Sequence, residues 1–125
     1  MMYKIMVEDS FAAAHQLIGY HGPCEQLHGH TWKVQLFIEG AKLNDQGLLI
    51  DFRQVKKVFS AVLEKFDHQC LNKLKVFKNI SPTSENVARL IHDTVKVKFR
   101  GRKAIFIKQV TVFESEKTSA SYREG

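Results

Sequence analysis

The chain has 125 residues, 44% of them hydrophobic, which suits one packed domain over 1–125 and leaves little for a second. Its two cysteines, Cys24 and Cys70, are far apart, which excludes a disulfide framework and a paired-cysteine zinc knuckle. The net charge of +6 is uneven, with 3 Lys/Arg against 5 Asp/Glu in residues 1–50 and 16 against 8 in residues 51–125. The later part therefore either attracts anions or presents solvated cationic faces.

The opening MMYKIMVEDSF is interrupted by Lys4, Glu8 and Asp9. It lacks both the unbroken apolar core of a signal peptide and the length of a membrane span, so a cytoplasmic protein without a membrane partner is expected. Within it, YKIMVEDSF reads as a first strand. Residues 31–39, TWKVQLFIE, alternate strictly, with Trp32, Val34, Leu36 and Ile38 on one face, and predict a second strand. After the turn-forming LNDQG, the stretch GLLIDF is expected to be a third.

At Asp51 the period changes. Phe52, Val55, Val58, Phe59, Val62, Leu63 and Phe66 recur at helical spacing behind an N-capping aspartate. SPTSEN starts a second helix, whose apolar stripe is Val87, Leu90, Ile91 and Val95. RGRK breaks that pattern, and AIFIKQVTVFE predicts a final strand. The order β-β-β-α-α-β gives an α+β fold, an antiparallel four-stranded sheet carrying two helices. Phe37, opposite Leu36 and Ile38, makes the second strand apolar on both faces, which favours burial against another copy of the chain.

The stretch CEQLHGH (24–30) places a thiol and two imidazoles within seven residues. His28 and His30, two apart at the mouth of a strand, project to the same face and can share one ion. Zinc takes imidazole nitrogens at about 2.0–2.1 Å and usually four ligands, and His15, at the end of FAAAH, is the best third candidate. Three histidines would leave a position open for chemistry. A polar loop end is the plain alternative for His-Gly-His. Cys24, beside Gly22, Pro23 and Glu25, can be a thiolate base, a fourth ligand or a small buried hydrophobe. In FDHQCLN (66–72), Asp67 and His68 can cap a helix or act as a proton relay serving Cys24. Cys70 reads as packing, His92 as a surface or partly buried structural residue, and His21 has no nameable partner.

FAAAH (11–15), CEQLHGH (24–30), LLIDF (48–52), FDHQCLN (66–72), PTSENVA (82–88) and VFESEKTSASY (112–122) together cover nearly the whole chain, in order. The assembly resembles the 6-pyruvoyltetrahydropterin synthase family, and within it the 6-carboxy-5,6,7,8-tetrahydropterin synthase branch of 7-deazaguanine and queuosine biosynthesis. The short Cys-x3-His-Gly-His interval is similar to that branch. The resemblance implies a tunnelling fold whose sheets oligomerise into a barrel, a hexamer or tetramer with sites at subunit boundaries. It implies Zn2+ on His15, His28 and His30, Cys24 as general base, and Asp67 with His68 as the relay. Glu114 matches the carboxylate that anchors the pterin, with Thr83, Ser84 and Glu85 on a segment lining its pocket, although helix capping alone would explain those three. The implied reaction converts 7,8-dihydroneopterin triphosphate to 6-carboxytetrahydropterin, triphosphate and acetaldehyde, with the basic excess as a rim that captures the triphosphate. Glu25, beside Cys24, is a second possible base or a solvated loop charge, and as a base it keeps open a cleavage releasing a hydroxymethylpterin; a 6-pyruvoyl product is a further outcome of the same fold. A basic zinc-containing nucleic-acid-binding module is disfavoured, because no interleaved aromatic and basic motif and no closed Cys/His finger occurs.

Overall fold

The structure, a computed structural model, describes residues 1–19 and 26–125. Its spine is two long strands, β1 (Tyr3–His15) and β2 (His28–Gly40), paired antiparallel from Tyr3↔Gly40 to His15↔His28. Alternation accounts for both. Val7, Phe11, Ala13 and His15 share one buried face with Trp32, Val34, Leu36 and Ile38. The first strand runs past Phe11, where the sequence pattern weakens, because Ala12–Ala14 find partners in Thr31–Gly29 of β2.

Helix α1 (Phe52–Glu64) starts where Asp51 accepts a hydrogen bond from the Arg53 amide at 2.8 Å, and buries Val55, Phe59, Val62 and Leu63. A two-residue strand, β3 (Gln69–Cys70), then pairs parallel with Ala13 and Ala14 of β1. Two 3-10 turns, Leu71–Lys73 and Lys75–Phe77, lead to α2 (Ser84–Lys98). The Thr83 side chain caps α2 by accepting from the Asn86 amide at 3.1 Å. Strand β4 (Phe106–Phe113) pairs antiparallel with β2, with a register shift between Phe37 and Ile38, and β5 (Ser119–Arg123) pairs antiparallel with β4. The sheet order is β3-β1-β2-β4-β5.

The α+β architecture and both helices match the sequence expectation, but the sheet has five strands, not four. GLLIDF forms no strand. It crosses the end of the sheet, burying Ile50 and packing Leu49 against Gly40. Strand β3 is too short to leave a periodic signal. Strand β5, SASYR, does alternate, with Ala120 and Tyr122 more buried than Ser119, Ser121 and Arg123, but it has too few large apolar residues to stand out.

The helices pack on the face that carries Trp32. The opposite face is mixed rather than apolar. Lys33 lies 4.1 Å from the Phe113 ring centroid, Gln35 donates to Glu8 at 2.9 Å, and Gln109, Thr111 and Ser121 are linked by hydrogen bonds. His92 is another departure. It is fully buried in α2 and donates from Nε2 to the Ile107 carbonyl at 2.9 Å, which ties the helix to β4. Cys70 is half-buried at the sheet edge. Among the described residues, no helix is long and apolar enough to cross a membrane.

Gly40 is required by close approach, since a Cβ there would lie 2.6 Å from both the Ala104 carbonyl oxygen and Leu49 Cδ1. Gly40→Ala should therefore cost about 1–3 kcal/mol of stability, read from the denaturant midpoint, with metal binding at the far end of β2 unchanged.

Candidate functional site

The unbroken register of β1 and β2 sets His15 directly across from His28, and His30 lies two residues along on the same face. Strand β4 contributes the fourth group. Phe113 pairs with Lys33, so Glu114, the next residue, comes level with Trp32 and reaches the histidines. Its backbone is held by a bond from its amide to the Thr118 carbonyl at 3.0 Å, in the turn before β5.

Each imidazole has its Nδ1 against a main-chain carbonyl: His15 on Pro82 at 2.7 Å, His28 on Gln26 at 2.9 Å and His30 on Thr31 at 3.1 Å. A carbonyl can only accept, so each Nδ1 carries its hydrogen, and whenever a ring is neutral its Nε2 lone pair is the one turned inward. The His15 and His28 Nε2 atoms are 3.1 Å apart. Glu114 Oε1 lies 3.3, 3.7 and 3.4 Å from the Nε2 atoms of His15, His28 and His30. His30 Nε2 is buried and has no hydrogen-bond partner. Converging lone pairs and a carboxylate repel one another unless a positive charge sits among them. Backbone-fixed tautomers are how proteins orient histidine ligands. The four side chains have donor atoms within 4.8 Å of one another and fit a metal ion.

A proton on His15 Nε2 is one source of that positive charge, and the hydrogen bond it makes holds the Glu114 carboxyl at about 2, against the cost of burial and with help from the Ser84 hydroxyl. Burial pulls the His15 imidazole down, but its bonds to Glu114 and Pro82 outweigh this and raise it. Trp32 forms the floor of the site. It stacks on His30 with centroids 4.3 Å apart, meets His15 edge-on at 4.6 Å, and donates from Nε1 to the Ala13 carbonyl at 3.2 Å.

Asp67 and His68 lie where α1 ends beside β1. Asp67 Oδ1 accepts from the Ala12 amide at 2.9 Å, and Oδ2 is 3.0 Å from His68 Nδ1. The bond from Ala12 is the main cause that lowers the Asp67 carboxyl below its usual value. His68 has φ of 58°, the left-handed region, which is uncommon for a side-chain-bearing residue. Its ring is exposed, and His68 and His30 both line a shallow depression of about 430 Å3 with Ala12, Ala14, Gly29 and Thr31.

Of the pocket-lining candidates, Thr83 is the helix cap, Ser84 donates from Oγ to Glu114 Oε2 at 2.8 Å, and Glu85 is exposed in the first turn of α2. Cys24, Glu25 and His21 lie outside the described residues. The sequence pattern missed Pro82 and Trp32, whose parts depend on contacts across the fold. The second His/carboxylate group, His92, Asp93 and Glu124, already has a cation, since Lys96 Nζ lies 2.7 and 2.8 Å from the Glu124 oxygens. Lys96, Arg100, Arg102 and Lys103 line a separate cavity of about 380 Å3 near the start of β4. Glu114 follows the other end of that strand, roughly 25 Å away at about 3.3 Å per residue, so this cluster is no rim to the same chain's histidines.

The sequence profile for 6-pyruvoyl tetrahydropterin synthase matches residues 4–125. A protein of Archaeoglobus fulgidus, provisionally named a 6-carboxy-5,6,7,8-tetrahydropterin synthase, is 34% identical over 95% of this chain and 94% of its own length. Several further relatives bear the 6-carboxy name. The dihydroneopterin monophosphate aldolase of Pyrococcus furiosus is 32% identical over 91% of each chain. Among solved structures, the 6-pyruvoyl tetrahydropterin synthase of Caenorhabditis elegans superposes with a TM-score of 0.88 at 28% identity, covering 100% of this chain and 97% of its own.

Trp32 is the chain's single tryptophan, and His30 stacks on it. Titration with Co2+ should therefore quench its fluorescence to a one-to-one endpoint, and His30→Ala should weaken that binding by about two orders of magnitude or more.

Proposed function

Because the chain belongs to the 6-pyruvoyl tetrahydropterin synthase family, we propose that it is a zinc-dependent carbon-carbon lyase acting on a pterin triphosphate. It converts 7,8-dihydroneopterin triphosphate to 6-carboxy-5,6,7,8-tetrahydropterin with release of triphosphate and acetaldehyde, in the cytoplasm, as a step toward 7-deazaguanines such as queuosine. The observation that carries the reading is the convergence of three backbone-oriented Nε2 atoms beside a carboxylate. The 6-carboxy name borne by several relatives supports the choice of product.

In this reading His15, His28 and His30 hold the zinc, which as a Lewis acid makes the hydroxyls of the substrate side chain more acidic. Cys24 is the base that removes the carbon-bound proton. His68 returns it, and the Asp67 carboxylate 3.0 Å from its Nδ1 orients the ring. Glu114 accepts from N3–H and the 2-amino group of the pterin, a pairing that one ionised carboxylate can make with both oxygens. Thr83, Ser84 and Glu85 edge the pterin pocket. The active form is a homo-oligomeric barrel, a hexamer or tetramer, in which a neighbouring chain completes each site.

The Pyrococcus furiosus relative favours one second reading, cleavage of a dihydroneopterin side chain to a hydroxymethylpterin, with Glu25 as base in place of Cys24. Mass spectrometry of products from zinc-loaded protein and 7,8-dihydroneopterin triphosphate separates the two. The proposed activity gives 6-carboxytetrahydropterin and acetaldehyde, lost in Cys24→Ala and kept in Glu25→Gln. A hydroxymethylpterin lost in Glu25→Gln would establish the second reading, and a 6-pyruvoyl product would place the enzyme with the triphosphate-eliminating synthases.

The positive φ of His68 gives a separate check, since glycine occupies that region without strain. His68→Gly should hold or raise the thermal midpoint while turnover falls by about 10²–10⁴, the usual worth of a general acid or base. His68→Ala should lose both.

A further inference from the structure

We propose that Asn72 is a positioning residue for the relay: its side-chain amide locks the register of residues 67–72 along β1, and that register keeps the His68 ring where it stands. Residues 67–72 lie along the edge of β1 away from β2, and only Gln69 and Cys70 pair there as a strand, with Ala13 and Ala14. The pairing nevertheless continues at both ends. Before it, the His68 amide donates to the Ala12 carbonyl at 2.6 Å, and Asp67 Oδ1 accepts from the Ala12 amide at 2.9 Å. After it, Asn72 Oδ1 accepts from the Gln16 amide at 2.7 Å, and Asn72 Nδ2 donates to the Gln16 carbonyl at 2.8 Å. Ala12 with His68, Ala13 with Gln69, Ala14 with Cys70 and Gln16 with Asn72 all stand 56 positions apart, so one register runs from Ala12 to Gln16.

The main chain cannot make the last of these pairings. Leu71 is fully buried and opens the 3-10 turn Leu71–Lys73, which carries the backbone off the sheet. A carboxamide presents a carbonyl and an N–H side by side, as a peptide group does, so the Asn72 side chain stands in for a strand residue. The relay sits at the other end of the same ladder. His68 holds a φ of 58°, a region that a residue with a side chain leaves unless its neighbours fix it. Ala12 fixes it on one side, and residues 69–72 on the other. Opening the Asn72 clamp lets that second side shift and the His68 backbone relax. The ring is then carried away from Asp67 Oδ2, now 3.0 Å from its Nδ1, and from the depression it shares with His30. A slip of one position along β1 would displace His68 by about 3.3 Å, several times the misplacement of about 1 Å that can cost about a hundredfold in rate. The catalytic consequence rests on the lyase reading above, whereas the clamp and its hold on His68 do not.

The experiment is a double-mutant cycle on the full-length protein, pairing Asn72→Ala with His68→Gly. Hydrogen exchange, read by mass spectrometry on peptides covering residues 12–18, should quicken in Asn72→Ala as the Gln16 amide loses its acceptor. On 7,8-dihydroneopterin triphosphate, Asn72→Ala should lower kcat about tenfold or more in the wild-type background. In the His68→Gly background, where no ring is left to position, the same substitution should change kcat by less than about twofold. A residue that only supports the fold would lower both backgrounds alike. The thermal midpoint gives the same cycle without substrate. His68→Gly relieves the left-handed backbone, so it should benefit the midpoint more in wild type than in Asn72→Ala, where that backbone has already relaxed.

Equal exchange in wild type and Asn72→Ala would overturn the clamp. An equal fold-loss of turnover in the two backgrounds would show that Asn72 does not act through His68, and would overturn the positioning role while leaving the lyase reading in place. Should wild type leave the substrate unchanged, the lyase reading falls and the thermal cycle decides the rest: additive midpoints overturn the hold on His68, and the expected coupling sustains it. Should Asn72→Ala fail to fold by circular dichroism, Asn72→Asp takes its place in every arm. It keeps the acceptor for the Gln16 amide but sets a carboxylate oxygen against the Gln16 carbonyl, so the same outcomes support or overturn the proposal.

Discussion

Three imidazoles that each donate from Nδ1 to a main-chain carbonyl can, when neutral, offer one another only lone pairs. That constraint organises the end of the sheet. The carbonyls of Pro82, Gln26 and Thr31 fix the three tautomers, and the β1–β2 register brings the Nε2 atoms together. The arrangement is stable only around positive charge, so the backbone here is built for a cation or for protons in its place. A one-residue slip between β1 and β2 would turn one set of histidines to the other face of the sheet and dismantle it.

The rest of the core supports this point. Trp32 is fully buried between Phe11 and the two rings of His15 and His30, so packing of the largest core side chain also sets the ligand orientation. The approach to α2 supplies Pro82 and Ser84, which hold His15 and Glu114 respectively. The helix that covers the sheet thus anchors the site twice. At the other edge, His68 takes up a left-handed backbone beside β1, with Asp67 bonded to Ala12. Strained backbone of this kind persists where the surroundings over-determine it.

Charge is distributed differently from the chemistry. Lys96, Arg100, Arg102 and Lys103 gather near the beginning of β4, and the histidine site lies beyond its end. A long strand keeps the two apart within one chain, so these four cations do not line the histidine pocket of the same chain. The Trp32-bearing face is covered by helices. The opposite face carries Phe37 and Phe113 among Lys33, Gln35, Gln109 and Thr111, a polar network with aromatic patches rather than a second core.

By itself the sequence determined the two helices with their Asp51 and Thr83 caps, the alternating β2 and the α+β class, and it singled out the three histidines as a group that could hold a metal ion, because capping and periodicity are written in residues close together in the chain. Only the tertiary structure decided the fifth strand, the irregular course of GLLIDF, the buried role of His92 and the placing of Glu114 Oε1 among the imidazoles. These depend on partners distant in sequence: His15 and the Pro82 carbonyl are separated by 67 positions, and Ser84 and Glu114 by 30. Local patterns say which face a side chain takes. Which atom it meets there is fixed by how the sheet and α2 pack, and that sets which lone pair is free to bind.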